Sequence, residues 1–239
     1  MLLSSKGKFK DVKEENIQVE VNGELLENVP DHKILGLHVD QCLTWEKQVS
    51  TICKKIAGKI SILRKIKHFL PFQVRKLYFN AYVLPHFDFC SAIWGGCNKK
   101  LLSKLRRLHK FAAYQILKVH GRVSYRHLLS KLNWLSIEER IHYKRGVEIY
   151  KILNNMAPSY LKEMFVYVKD ICQRQSRSSA DDKLYLVKPK TNYLKSSFAY
   201  SGAMFWNSLP RCVRNSSSLK KFKEECTRYI MITRNGPIT

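Results

Sequence analysis

Ile17, Val19 and Val21 alternate with polar residues and run into Asn22-Gly23, a pair suited to the positive φ angles of a two-residue hairpin turn. A second strand is predicted over Glu24 to Val29, and a third over Lys33 to Val39 with Gly36 inside it. A glycine there weakens a strand and marks a close approach by other atoms. From Thr44 the period becomes helical. Thr44 is placed to cap a helix with Glu46 in its first turn, and Val49, Ile52, Ile56, Ile60 and Leu63 form one apolar stripe. Pro71 suits the start of a second helix ending at Leu84-Pro85, and Gly95-Gly96 closes a third. Asn98 caps a fourth, whose stripe is Leu101, Leu105, Leu108, Ala112 and Ile116. Ser136 with Glu139 is a capping box for a helix that ends at Asn154-Asn155 and Pro158. Ser176 to Asp182 is polar and patternless, hence a surface loop. Beyond it a short strand is predicted over Leu184 to Val187, a buried helix over Phe198 to Leu209, and a last helix from Ser218 carrying Leu219, Phe222, Cys226 and Tyr229.

The predicted fold is therefore mainly α with a small N-terminal antiparallel β unit (α+β), a helical bundle followed by a smaller C-terminal helical region. Four units are expected: 1-42, 43-120, 121-170 and 171-239. The β unit is too small to stand alone.

Charge changes this picture. Lys and Arg number 43 against 19 Asp and Glu, a formal net of +24 over 239 residues, which points to a polyanionic partner. The excess is local. Residues 1-50 carry more acids than bases, whereas residues 51-120 carry 15 bases and a single acid, Asp88. On the first helix Lys47, Lys54 and Lys65 lie opposite the apolar stripe, with Lys55 beside Lys54, and Gly58 and Ser61 between them leave room for a phosphate backbone. On the fourth, Lys99, Arg106 and Lys110 lie opposite the stripe with Arg107 beside them. These eight residues are the candidate nucleic-acid contacts. A solvated helix face is the ordinary explanation of such a stripe, and the near absence of acids over seventy residues decides against it.

Other chemistry is sparse. Seven cysteines without regular spacing read as reduced thiols, which suits a cytoplasmic or nuclear protein. His86, Cys90 and Cys97 fit no zinc spacing and are read as core, so no metal site is assigned. Leu77 to Asn98 is apolar, but Asn80, Pro85, His86 and Asp88 interrupt it, so no membrane partner is expected. Trp94, Tyr114, Trp134, Tyr200 and Trp206 are read as core; His32, His38, His109 and His142 as surface or partner residues. No nucleophile–base pair, phosphate loop or dinucleotide fingerprint is present.

A series of blocks resembles a known family. Lys33-Ile-Leu-Gly-Leu-His-Val-Asp40, Leu43-Thr-Trp45, Ile52-Cys-Lys-Lys-Ile56, Leu84-Pro-His-Phe-Asp-Phe-Cys90 and Ile93-Trp-Gly95 resemble the region after the polymerase active site in reverse transcriptases of jockey-like non-LTR retrotransposons. Pro189-Lys-Thr-Asn-Tyr193, Ser197-Phe-Ala-Tyr-Ser-Gly-Ala203 and Trp206-Asn-Ser-Leu-Pro210 are similar to the C-terminal part of the same proteins. The resemblance implies that residues 1-42 are the end of a palm, that Leu35, Gly36 and Leu37 are primer-grip-like, and that residues 44 to 120 are a thumb holding a template–primer duplex of RNA, DNA or both.

The chain departs from that family where catalysis would be. Its polymerases hold Mg²⁺ on aspartates of a hairpin upstream of the primer grip, and the residues before Leu35 contain no Asp-Asp. Ser179-Ala-Asp-Asp182 lies far downstream in a polar setting and is read as a decoy. No catalytic residue and no cofactor are assigned, Mg²⁺ being expected only with the missing palm. The expected function is a non-catalytic, nucleic-acid-binding piece of a reverse transcriptase, with Met1 as the start of a truncated copy. Two alternatives stand beside it: an active polymerase completed by a palm encoded elsewhere, and a host-adopted protein-interaction module using an open strand edge. The same edge offers a route to self-association.

Overall fold

The computed structural model describes residues 1–4, 19–171 and 182–235, and it is mainly helical with two small antiparallel ribbons at the N-terminal end. Strands β1 (Glu20–Val21) and β2 (Glu24–Leu25) pair around Asn22-Gly23. Both turn residues have positive φ, 53° and 83°, as a type I′ turn requires. The second strand stops well short of Val29, and Ile17 lies outside the described residues.

The third strand predicted over Lys33 to Val39 is a second hairpin instead. β3 (Asp31–Ile34) pairs with β4 (Leu37–Asp40), and Leu35-Gly36 is the turn, with φ of 46° and 87°. Leucine seldom adopts positive φ, so nothing in the local sequence but Gly36 announced the turn. A Cβ on Gly36 would meet the Phe89 ring at 3.3 Å, so the glycine serves both the turn and a close approach.

The ribbons do not pair with one another, and Val19, Val21, Leu25, Leu26, Ile34 and Leu35 are exposed. A two-stranded ribbon with no covered face is marginal in water. Backbone amides of Glu20 to Leu25 are therefore expected to exchange with solvent much faster than those of the central helices. Equal protection in hydrogen exchange would show that another surface covers the ribbon.

Asp40 ends β4 and starts the first helix. Its carboxylate accepts from the backbone N–H of Cys42 (3.2 Å), Thr44 (2.9 Å) and Trp45 (2.9 Å), and α1 (Glu46–Ile66) follows. Thr44 was expected to cap this helix, yet its hydroxyl makes only a long contact with the Glu46 N–H, at 3.4 Å. The anchoring acid is four residues earlier. Inside α1, Val49, Ile56, Ile60 and Leu63 are fully buried, each contributing about 1.5–3 kcal/mol by leaving water.

A break was predicted at Leu84-Pro85, but the chain stays helical there. Helix α2 (Phe72–Tyr78) passes through a π-helical turn (Phe79–Val83) into α3 (Leu84–Asp88). Leu84 N–H donates to Phe79 O, five residues back. The widened turn absorbs Pro85, which has no N–H to give.

After α4 (Ser91–Trp94) comes α5 (Lys99–Leu117), capped by Asn98 as predicted, its side chain accepting from Leu101 N–H at 2.9 Å. Helices α1 and α5 pack directly and run parallel. Cys53 and Lys104, in their first halves, are electrostatic neighbours, while Lys67 Nζ donates to Gln115 Oε1 at 2.9 Å just beyond the end of α1 and near the end of α5. Arg75 of α2 sits across both C-terminal ends. It is 6% exposed, and it donates to Ile116 O (2.8 Å), Leu70 O (2.8 Å) and Lys67 O (3.2 Å). A buried cation there satisfies carbonyls that the helices leave unpaired and opposes both helix dipoles.

Helix α6 (Tyr125–Leu132), not predicted although Ser124 caps it through His127 N–H (3.2 Å) and Asn133 ends it at positive φ, leads to α7 (Ile137–Leu153). The capping box of α7 is present, Ser136 N–H donating to Glu139 and Glu139 N–H to Ser136. Helix α7 joins two cores. Its Ile137 and Ile141 belong to the core that holds α1, α3, α5 and α6, while Val147, Ile149, Tyr150 and Ile152 belong to the C-terminal core. On its outer side Arg140 and Lys144 pair with Asp88.

The C-terminal part contains a 3-10 turn (Ser159–Met164), α8 (Val168–Ile171), α9 (Asn192–Ser196), α10 (Phe198–Ser208), α11 (Arg211–Arg214) and α12 (Leu219–Asn235). Leu184 makes an isolated bridge to Tyr167 instead of the predicted strand. Ser218 caps α12 through Lys221 N–H (3.2 Å), and Arg234 ties that helix back to Glu139 and to Trp134 O. Of the loop predicted over Ser176 to Asp182, all but Asp182 lies outside the described residues.

Candidate nucleic-acid interface

Successive residues on an α-helix are about 100° apart, so the neighbours of α1 and α5 fix which faces remain outside. On α5, Lys104 lies at the seam with α1, beside Cys53. Arg106, about 200° further round, reaches the opposite seam and pairs with Glu138 of α7. The outer face between these seams carries Lys99, Lys100, Arg107 and Lys110. On α1 the seam with α5 is marked by Cys53 and the seam with the π turn by Lys59, which lies over Tyr82. Between them are Lys54, Gly58, Ser61 and Lys65, all exposed. The two outer faces are adjacent and form one basic surface with Lys104 in the middle.

Of the 15 bases in residues 51–120, Arg106 alone has a carboxylate within ion-pair distance among the described residues. The one acid of that stretch, Asp88, is taken by Arg140 and Lys144 from α7. Like charges therefore accumulate on the outer faces without internal compensation, a condition that a polyanion relieves.

The structure sorts the eight predicted contacts. Lys54, Lys65, Lys99, Arg107 and Lys110 share the outer surface, Lys110 resting against the Tyr114 ring at 5.8 Å from its centroid. Lys47 is tied to Asp31 of β3 and Arg106 to Glu138, so neither is a free cation. Lys55, about 100° further round the helix than Lys54, lies on the other flank, where its charge reaches His86. Lys100 and Lys104 were missed by the sequence reading. Their signal was present, since i and i+4 on α5 share a face, but it becomes readable only when the seam with α1 is known.

Leu35, Gly36 and Leu37 do not join this surface as a strand. Leu35 and Gly36 form the hairpin tip, with Leu35 94% exposed, and Leu37 is buried in the first core.

Trp94, Trp134 and Trp206 are buried as predicted, while Tyr114 and Tyr200 are half-buried. His109, expected at the surface, is 1% exposed and packs among Phe79, Phe87 and Trp134. Its Nδ1 lies 2.7 Å from the Tyr125 hydroxyl. Burial, helped by the Arg140 charge, holds its pKa down at about 3, so it remains a neutral core group. Burial pushes the Cys97 thiol up to about 11, which makes it a poor nucleophile and metal ligand. Among the described residues no three His, Cys, Asp or Glu side chains converge to hold a metal ion, and no helix is long and apolar enough to cross a membrane.

Two sequence features acquire structural roles. Asn207, in Trp206-Asn-Ser-Leu-Pro210, grips the backbone of Leu184 with both amide atoms, each at 2.8 Å. Asp182, the second acid of the downstream pair, is bound by Lys169 at 2.8 Å, which together with Arg211 and Arg214 holds its carboxyl below the usual range. Asp181 lies outside the described residues. Comparisons with protein-family models, curated proteins and solved structures find no match to this chain.

Proposed function

We propose that this chain binds nucleic acid through backbone phosphates, using the outer faces of α1 and α5, as the thumb-like part of a protein of the non-LTR reverse-transcriptase kind. The observation that carries the reading is the uncompensated charge on two adjacent parallel helices whose inner faces are fully committed to the core. Phosphate contacts need exposed cations on a rigid platform and no base-reading geometry. Lys54, Lys65, Lys99, Lys100, Lys104 and Arg107 meet that description, and the half-buried Lys110 lies beside them. The resemblance of the sequence blocks supplies the class of ligand, a template–primer duplex. Polymerase chemistry is not assigned to the chain alone: among the described residues no three His, Cys, Asp or Glu side chains converge on one metal site, the acids there being held in ion pairs, in helix-start hydrogen bonds or at scattered surface positions.

The test is equilibrium binding of the full chain to several 20-base-pair duplexes of unrelated sequence. Affinities that agree within a factor of a few are expected, because phosphates carry no base identity. Absence of binding at low salt would defeat the reading. A second reading, docking of another β segment on the N-terminal ribbons, is favoured by one observation, the exposed Val19, Val21 and Leu26 on one face of the first ribbon. Concentration-dependent association in sedimentation, insensitive to salt, would support it.

A further inference from the structure

On the flank of α1 away from α5, a second group of side chains faces solvent. Lys55 and Lys59 come from α1, Tyr82 from the π turn and His86 from α3. Lys59 Nζ stands 5.6 Å from the centre of the Tyr82 ring, and that residue is 54% exposed. Its position is fixed from below. Tyr78 lies 5.0 Å away, ring centre to ring centre, and its hydroxyl donates to Lys59 O at 3.0 Å. The π turn that accommodates Pro85 re-aims the residues between Phe79 and Val83, burying those two and leaving Tyr82 outside.

The cations here are as uncompensated as those on the outer faces. Neither Lys55 nor Lys59 has a carboxylate within ion-pair distance among the described residues. His86 registers the result: burial first, then the charges of Lys55 and Lys59, lower its pKa. A half-exposed aromatic ring with one lysine over it and a second lysine on the same flank, near enough for its charge to reach His86, has the elements of a single-strand site, where a base stacks and its neighbouring phosphates are neutralised. A duplex cannot use the ring, since its bases are already stacked.

We propose that Lys55, Lys59, Tyr82 and His86 form a binding site for single-stranded nucleic acid beside the duplex-binding outer faces, with a base stacked on Tyr82 and the adjoining phosphates on Lys55 and Lys59. The proposal rests on the nucleic-acid reading above and extends it to a strand that leaves the duplex. Single- and double-stranded ligands then engage different side chains of the same helix.

The experiment is fluorescence anisotropy of the full chain with a labelled 12-nucleotide oligothymidylate and, separately, with a 20-base-pair duplex. Tyr82→Ala should weaken single-strand binding roughly 5- to 100-fold, the range that loss of one stacked base produces, and leave duplex binding unchanged. Tyr82→Phe should retain the affinity. A Lys55→Gln, Lys59→Gln pair, which keeps the ring, should flatten the single-strand salt slope by roughly 0.7 per lost contact; this pair decides the matter if Tyr82→Ala fails to fold. Wild-type binding to both ligands with no response to either variant overturns the single-strand site and leaves the duplex reading intact. Failure of the wild-type chain to bind either ligand removes both.

Discussion

Replacing Lys54, Lys65, Lys104 and Arg107 together by Gln is expected to lower duplex affinity by on the order of a thousandfold at about 0.1 M salt, since each phosphate contact contributes roughly 0.9 to the slope of log K against log salt. All four lie on the outer surface or its central seam. They make no ion pair among the described residues, so their removal leaves no orphaned acid. Thermal stability should hold or rise slightly as self-repulsion falls. The loss should be shared by duplexes of every sequence. By contrast, Lys47→Gln and Arg106→Gln should change affinity little, because Asp31 and Glu138 already neutralise those charges. An unchanged affinity in the fourfold variant, with the fold intact, would place the nucleic-acid surface elsewhere.

The second large effect is on stability. Arg75→Leu should destabilise the protein by about 3–4 kcal/mol, because it strips donors from the carbonyls of Ile116, Leu70 and Lys67 and leaves buried acceptors unpaired. For a chain of this size that corresponds to a melting temperature roughly 6–16 °C lower. Arg75→Lys should recover only part of it, since one ammonium cannot span both helix ends as the guanidinium does. Urea unfolding of the three proteins makes the comparison. A loss below about 1 kcal/mol for Arg75→Leu would mean that water satisfies the helix ends as well as the arginine.

The parts of the fold legible in the sequence are those decided within a few residues. Asn98, Ser136 with Glu139, and Ser218 cap their helices because the cap and its N–H partner are three residues apart. Asn22-Gly23 makes its turn for the same reason. Leu35-Gly36 was misread because a leucine at positive φ is held by the strands on either side, not by its own preference. The break expected at Pro85 was avoided by a π turn set several residues upstream. Asp40 was passed over as a helix anchor because its acceptors for Thr44 and Trp45 act across a bend.

The candidate site follows the same division. The charge imbalance and the apolar stripes of α1 and α5 are sequence properties, and they located the two helices correctly. Which cations stay free is a tertiary property. Arg106 lost its freedom to Glu138, 32 residues on, and Lys47 to Asp31, 16 residues back. Lys59 and Tyr82 meet only because the π turn and α3 pack against the flank of α1. No local pattern carries such information.

The central claim, that α1 and α5 hold a polyanion by its phosphates, is tested most directly by the salt dependence of duplex binding by the unmodified chain. With the seven outer-surface cations making about six contacts, log K should fall linearly with log salt at a slope near −5, and the same slope should be found for unrelated sequences. A slope near zero, or binding that persists unchanged at high salt, would contradict it.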